Sequence, residues 1–270
     1  MTLTDRQING LTLQTSPQMT ALPGVTHGFT TRAGGVSTGV YTSLNLAANR
    51  DDDPARVREN YRRVCAALDM DRTRLVFTRQ VHEAAVRPVT AADAGKGLDR
   101  PVDYEADGVM TDVPGLPLAA FGADCLTALL YDPVHRAVAA VHAGWRGTAA
   151  GILANAVAGM GETYGTVPAD LYAALGPCIS LCCFETGPEV ARAMTAALGT
   201  GAGPYLRDDE NGKYHVDLKG LNALWLQNAG VDPARIDTSA DCTLCRPEKY
   251  WSHRHTGGLR GSQAALIQLL

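Results

Sequence analysis

The apolar positions of the chain change period several times, and each change marks an element. Asp53 followed by Pro54 opens a helix, with a carboxylate to cap free N–H groups and then a residue whose missing N–H costs nothing in the first turn. Val57, Tyr61, Val64, Cys65 and Leu68 recur at helical spacing, which puts Cys65 on the apolar face. Short apolar runs at 75–77, 108–111, 118–121, 127–131 and 137–141 predict strands, and Pro114–Gly115 predicts a turn between two of them. The last run passes through His142 and Gly144 into a predicted helix over 148–158. A strand over 171–175, helices over 188–198 and 218–229, and strands near Ile236 and at 264–269 complete the pattern, with loops at 91–103 and 199–204. Strands come in pairs as well as alternating with helices. That predicts an α/β (α+β) protein with a mixed sheet. No repeat and no low-complexity linker divides the chain, so one domain over residues 1–270 is expected.

Charge narrows the function. The 28 acidic and 24 basic residues leave a net charge of −4, which disfavours a coat for nucleic acid or an anionic membrane but allows a local phosphate pocket. The first 20 residues lack a basic segment followed by an apolar one. The longest apolar stretch, 116–131, is interrupted by Asp124. A soluble, cytoplasmic protein with no membrane or nucleic-acid partner is expected, as a monomer or small homo-oligomer. The seven cysteines, an odd number, argue for thiols rather than a disulfide framework. Cys242 and Cys245 have the C-x-x-C spacing of a redox pair or half a structural zinc site, which Cys178, Cys182 or Cys183 would complete. No second pair has a finger spacing, so buried free thiols are the expectation.

Three residues stand out as candidate metal ligands. His82 lies in RQVHEAAV near a predicted strand end, Cys125 in FGADCLTALLYDP within an apolar strand region, and His142 where a strand gives way to a glycine turn. Three such ligands leave a fourth tetrahedral position open for catalysis. Their long separations fit no short zinc signature. Three separately buried residues are one alternative. A cysteine nucleophile with a histidine base, Cys125 with His142, is another.

Longer stretches point to a family: HGFTTRAGGVSTGVYTSLNL (27–46), QVH (80–82), EADGVMTDVPGLPLAAFGADC (105–125), LLYDP (129–133), AVHAGWRGT (140–148), LGPCISLCCFETG (175–187), DLKGLN (217–222) and CTLCRPEKYWSHRHTGGLRG (242–261). Together they resemble the bacterial laccase-domain family, also called multicopper polyphenol oxidoreductases, over residues 27–261. Members are described as purine nucleoside phosphorylases with adenosine deaminase activity. The resemblance implies a central β-sandwich flanked by helices and a Zn²⁺ held by His82, Cys125 and His142. It also implies adenosine, inosine or methylthioadenosine and phosphate as substrates. One departure is His255, where the family usually has a second Arg after the Ser-His of its C-terminal motif.

The older family name predicts copper, but histidine supply argues against a laccase. Seven histidines with one His-x-His pair, His253 and His255, cannot build both a blue-copper and a trinuclear centre. Adventitious copper at the zinc site remains compatible with the ligands. Arg32, beside Gly34 and Gly35, and Arg146, beside a helix start, are candidates for phosphate. Structural ion pairs are the alternative for both. Asn45 is a candidate for a ribose or base edge, with turn capping as its alternative. Asp107, Asp124 and Glu185 are candidates for proton transfer, Asp124 marginally first. Gly35–Gly39 fits G-x-S-x-G but lacks the strand and helix of a nucleophile elbow. The H-x-E and P-C-x-x-C deaminase signature, Walker A and G-x-G-x-x-G are absent. The expected function is a zinc-dependent purine nucleoside phosphorylase with adenosine deaminase activity. The alternatives are a zinc or cysteine amidase editing peptidoglycan precursors, a copper-dependent polyphenol oxidase, and a structural zinc protein.

Overall fold

A computed structural model describes all 270 residues. Two large sheets face each other. The first has the order β1 (Thr4–Ile8), β2 (Leu11–Thr15), β3 (Val25–Thr30), β14 (Gln263–Leu269), β6 (Leu118–Gly122). The second has the order β13 (Ile236–Thr238), β9 (Tyr172–Leu175), β7 (Leu126–Asp132), β8 (Ala137–Ala143), β5 (Gly108–Thr111), β4 (Val86–Pro88). It is mixed: β4 runs parallel to β5 and β13 parallel to β9, while the other pairs are antiparallel. A small third sheet orders β10 (Glu185–Thr186), β12 (Tyr214–Val216) and β11 (Leu206–Asp208).

The alternation of side chains along the strands creates three cores. Phe29, Leu118, Ala265 and Ile267 from the first sheet meet Val109, Leu129, Val138 and Ala174 from the second. On the far side of the second sheet, Leu126, Ala128, Leu130 and Val141 pack under α4 (Ile152–Tyr164), α5 (Pro188–Leu198) and α6 (Leu218–Asn228). On the far side of the first sheet, Leu11, Leu13 and Leu266 pack under α2 (Pro54–Ala67). The expected β-sandwich flanked by helices is the observed architecture. Strands β7 and β8 are buried on both faces, which is why their sequences read as unbroken apolar runs.

Local expectations hold where periodicity is strong. Asp53 caps α2 by accepting the Ala55 N–H, and Cys65 is buried in its core face. Three expectations need correction. Residues 75–77 form no strand; Val76 makes a single bridge to Leu118. The helix expected over 148–158 is two helices, α3 (Trp145–Ala149) and α4, because Gly151 adopts φ +72° between them. The 199–204 segment is a 3₁₀ turn rather than open loop. The amino-terminal hairpin β1–β2, the short α1 (Pro17–Ala21) and α7 (His253–Thr256) carry too little periodicity to be read in advance. No helix is long and apolar enough to cross a membrane.

His27 on β3 gives the fold a pH dependence. Its buried ring accepts the Ser16 N–H at Nε2, 2.9 Å away. Burial and the nearby Arg6 push its pKa down to about 4, against a smaller opposing pull from Asp237. The unfolded chain takes up this proton near pH 6.5, and the folded chain only near pH 4. The contribution is therefore present above pH 6.5 and lost as pH falls toward 4, by roughly 3 kcal/mol. Urea unfolding across this range should show a steeper acid loss for wild type than for His27→Gln. Parallel pH profiles would refute the assignment.

Candidate active site

The chain leaves β6 in one sheet and enters β7 in the other within three residues, 123–125. Cys125 sits at this crossover, and His142 lies one residue before the end of the neighbouring β8. Thr127 on β7 pairs with His142, so the register sets the two ligands side by side. His82 arrives from a loop rather than a strand end, with a left-handed backbone at φ +63°.

Asp107, immediately before β5, organises this loop. Its Oδ1 accepts the His82 N–H at 3.0 Å, and its Oδ2 accepts those of Val81 and Glu83 at 3.1 and 2.9 Å. The same Oδ1 lies 2.7 Å from His142 Nδ1. One buried carboxylate thus fixes two of the three candidate ligands. Burial works against its charge, but the hydrogen bond from His142 and the backbone N–H groups hold its pKa below the usual carboxylate range.

The candidate ligand atoms of His82, Cys125 and His142 all lie within 4.8 Å of one another. The two imidazoles meet edge to face, centroids 4.8 Å apart. Gly144 lines the same cradle: a Cβ there would meet His82 Nδ1 at 2.9 Å and Cys125 Sγ at 3.4 Å. Burial opposes the Cys125 thiolate, but hydrogen bonds from His142 and His82 outweigh it and lower the pKa. Burial likewise opposes a charged His142, and its bonds to Asp107 and Cys125 outweigh that and raise its pKa. Two nitrogen donors and a thiolate at this spacing suit a borderline-soft divalent metal, with Asp107 orienting one imidazole from behind.

These three residues line one side of a pocket of about 500 Å³. Phe77, Phe121, Tyr61 and Leu46 supply an apolar wall, with Phe77 and Phe121 in edge-to-face contact at 4.9 Å. Gln80 holds Phe121 by two hydrogen bonds to its backbone. Arg50 and Arg260 also line the pocket, and no Asp or Glu does. The buried Nε of Arg260 has no hydrogen-bond partner. Burial and the neighbouring Arg50 charge lower the Arg260 pKa, partly offset by Asp124 and Cys125. Two guanidiniums lining one pocket with no carboxylate partner suit an anion.

The other residues expected from the sequence lie elsewhere. The Arg32 guanidinium donates to the carbonyls of Thr42 and Pro247 and stacks on Trp251. Arg146 is exposed and lies over Trp145. Asn45 is fully buried, bonded to Asp52 and to the backbone of Ala47 and Ser262. The Asp124 carboxylate accepts Thr243 Oγ1 and the Arg254 N–H. Glu185 pairs with Lys213 near the surface. None of these five is in the pocket lining. Arg50 and Arg260 were not singled out by sequence; Arg260 closes the 242–261 stretch, the one signal for it.

Residues 26–270 match the model of a family described as multi-copper polyphenol oxidoreductase laccase. The chain belongs to this laccase-like family. Among similar proteins, the purine nucleoside phosphorylase YlmD of Geobacillus stearothermophilus is 35% identical, with 90% of each chain covered. A purine nucleoside phosphorylase of Deinococcus radiodurans is 37% identical over 96% of this chain and 94% of its own. The crystal structure of a Bacillus licheniformis hypothetical protein YfiH superposes with a TM-score of 0.91 at 33% identity, covering 98% and 99% of the two chains. As a member of the laccase-like family the chain is an enzyme, but its histidines do not build a laccase centre. His135 is paired with Asp132 and His215 with Asp209, while His253 and His255 sit on the exposed α7. No cluster of possible ligands holds more than two histidines.

Proposed function

We propose that this chain is a zinc-dependent purine nucleoside phosphorylase. The observation that carries the reading is one pocket joining the His82–Cys125–His142 triad, an aromatic wall and two arginines without carboxylate partners. The names of the similar proteins point the same way. Phe77 and Phe121 form the apolar wall against which a purine packs. Arg50 and Arg260 hold inorganic phosphate, bringing an oxygen in line with the sugar carbon. That oxygen forms the new bond to C1′ as the bond from C1′ to the base breaks, and the base leaves with the electron pair. His82, Cys125 and His142 would hold the Zn²⁺, which when bound would supply Lewis-acid polarisation of substrate atoms. The chemistry is that of a small-molecule enzyme of the cytoplasm. Deamination, also expected from the resemblance, gains no support from the pocket walls, which offer no carboxylate to shuttle protons.

The test is product analysis of adenosine and inosine with and without phosphate. Free base and ribose 1-phosphate should appear only with phosphate. Arg260→Ala should raise the phosphate KM about 10- to 100-fold, the loss of one charge-assisted contact. Base release that ignores phosphate, or an unchanged phosphate KM, would overturn the reading.

A further inference from the structure

Four cysteines that the pocket does not use converge in two loops that contact Asp124. Cys182 and Cys183 follow β9; Cys242 and Cys245 follow β13. Their four Sγ atoms all lie within 4.8 Å of one another. Cys183 and Cys245 are 3.3 Å apart at sulfur, Cys182 and Cys245 3.7 Å. Cys182 and Cys245 are exposed, so they are not the buried thiols that the sequence suggested.

We infer that Cys182, Cys183, Cys242 and Cys245 form a second, structural zinc site. A tetrahedral ion with Zn–S bonds of about 2.3 Å needs sulfurs about 3.8 Å apart, close to the observed spacing. An iron–sulfur cluster, several atoms across, would hold its cysteines farther apart. The turn at Cys242-x-x-Cys245 is built for a metal thiolate. The backbone N–H groups of Cys245, Ser180 and Leu244 point at Cys242 Sγ, so a sulfur with no proton of its own has donors waiting. Both loops are also held in place without the ion. The buried Lys219 ammonium donates to Ser180 Oγ, Ser239 O and Asp241 O, bridging the two. His215 Nδ1 contacts the Leu181 carbonyl beside Cys182. Such pinning lowers the ordering cost of binding.

The site braces the active-site floor. Ile179 N–H donates to the Asp124 carbonyl, and Thr243 Oγ1 donates to the Asp124 carboxylate. Asp124 precedes Cys125, so an ion joining the loops would stiffen the segment that carries a ligand of the first site. On binding, the four thiols release their protons to solvent as the metal–sulfur bonds form, and no redox partner is needed.

The experiment counts zinc in Zn²⁺-loaded, gel-filtered protein by elemental analysis. Wild type should hold about two ions per chain, and Cys125→Ala and Cys182→Ser/Cys245→Ser about one each. A wild type with one ion that vanishes in Cys125→Ala overturns the site. A second measurement needs no variant: an aromatic disulfide reagent should label Cys182 and Cys245 only after a chelator strips the metal. Equal labelling before and after, or a disulfide among the four in a non-reducing peptide map, also overturns it. Neither count depends on phosphorolysis, so failure of the proposed activity leaves this result standing.

Discussion

Cys125→Ala should lose about one zinc ion per chain and at least about a thousandfold in phosphate-dependent base release, since a catalytic metal is worth several kcal/mol of transition-state stabilisation. The sulfur is central to the cradle. His82, His142 and Gly144 all approach it, and it sits at the crossover between the two sheets. The variant leaves two imidazoles facing an empty position, too few donors for tight tetrahedral binding. Fold should survive, because Cys125 is flanked by β6 and β7, whose cores do not include its side chain. The measurement is metal analysis together with initial rates for adenosine and inosine. Full activity in a metal-free wild type would sink the zinc reading. It would promote Cys125 as a nucleophile, a role its lowered pKa would also serve.

Asp107→Asn should weaken zinc binding at this site by about 10- to 100-fold, the usual effect of removing a carboxylate behind a ligating histidine. The geometry argues for the upper end. Four N–H donors, three from backbone and one from the His142 ring, converge on the two carboxylate oxygens. Each oxygen serves two of these donors, and an amide presents an NH₂ in place of one oxygen, so two donors lose their acceptor. That costs about 1–3 kcal/mol of stability in addition to the metal effect. It also frees His82 from its left-handed position, so the loop at 81–83 loosens. Competition with a chromogenic chelator reads the affinity, and urea unfolding of the metal-free protein reads the stability. Unchanged values in both would show that Asp107 orients nothing.

The two variants separate holding a ligand from being one. Cys125→Ala removes a donor and should not be rescued by excess metal. Asp107→Asn leaves all three donors and should recover much of its activity at high Zn²⁺.

What the sequence alone determined is what repeats locally or is bound to a motif. Helix α2, strands β5 to β9 and helices α5 and α6 were legible because a periodic apolar face must be buried whatever lies opposite it. His82, Cys125 and His142 stood out as candidates because three residues of metal-preferring types lie in motifs that resemble one family; local spacing alone left them open to other roles. Polar residues without such a stretch were not legible, since their role depends on which partner claims them. Arg32, Arg146, Asn45 and Asp124 looked suited to phosphate, sugar or proton transfer, and the fold gives each a structural partner instead. Arg50 and Arg260, some 210 residues apart in the chain, meet only because β14 lies between β3 and β6 and returns the carboxyl-terminal segment to the pocket. The four-cysteine cluster likewise joins two pairs more than 50 residues apart that share no finger spacing. Local periodicity reports how one segment meets the core. Which distant polar groups share a pocket is decided by strand order and register, and these appear only when the two sheets close on each other.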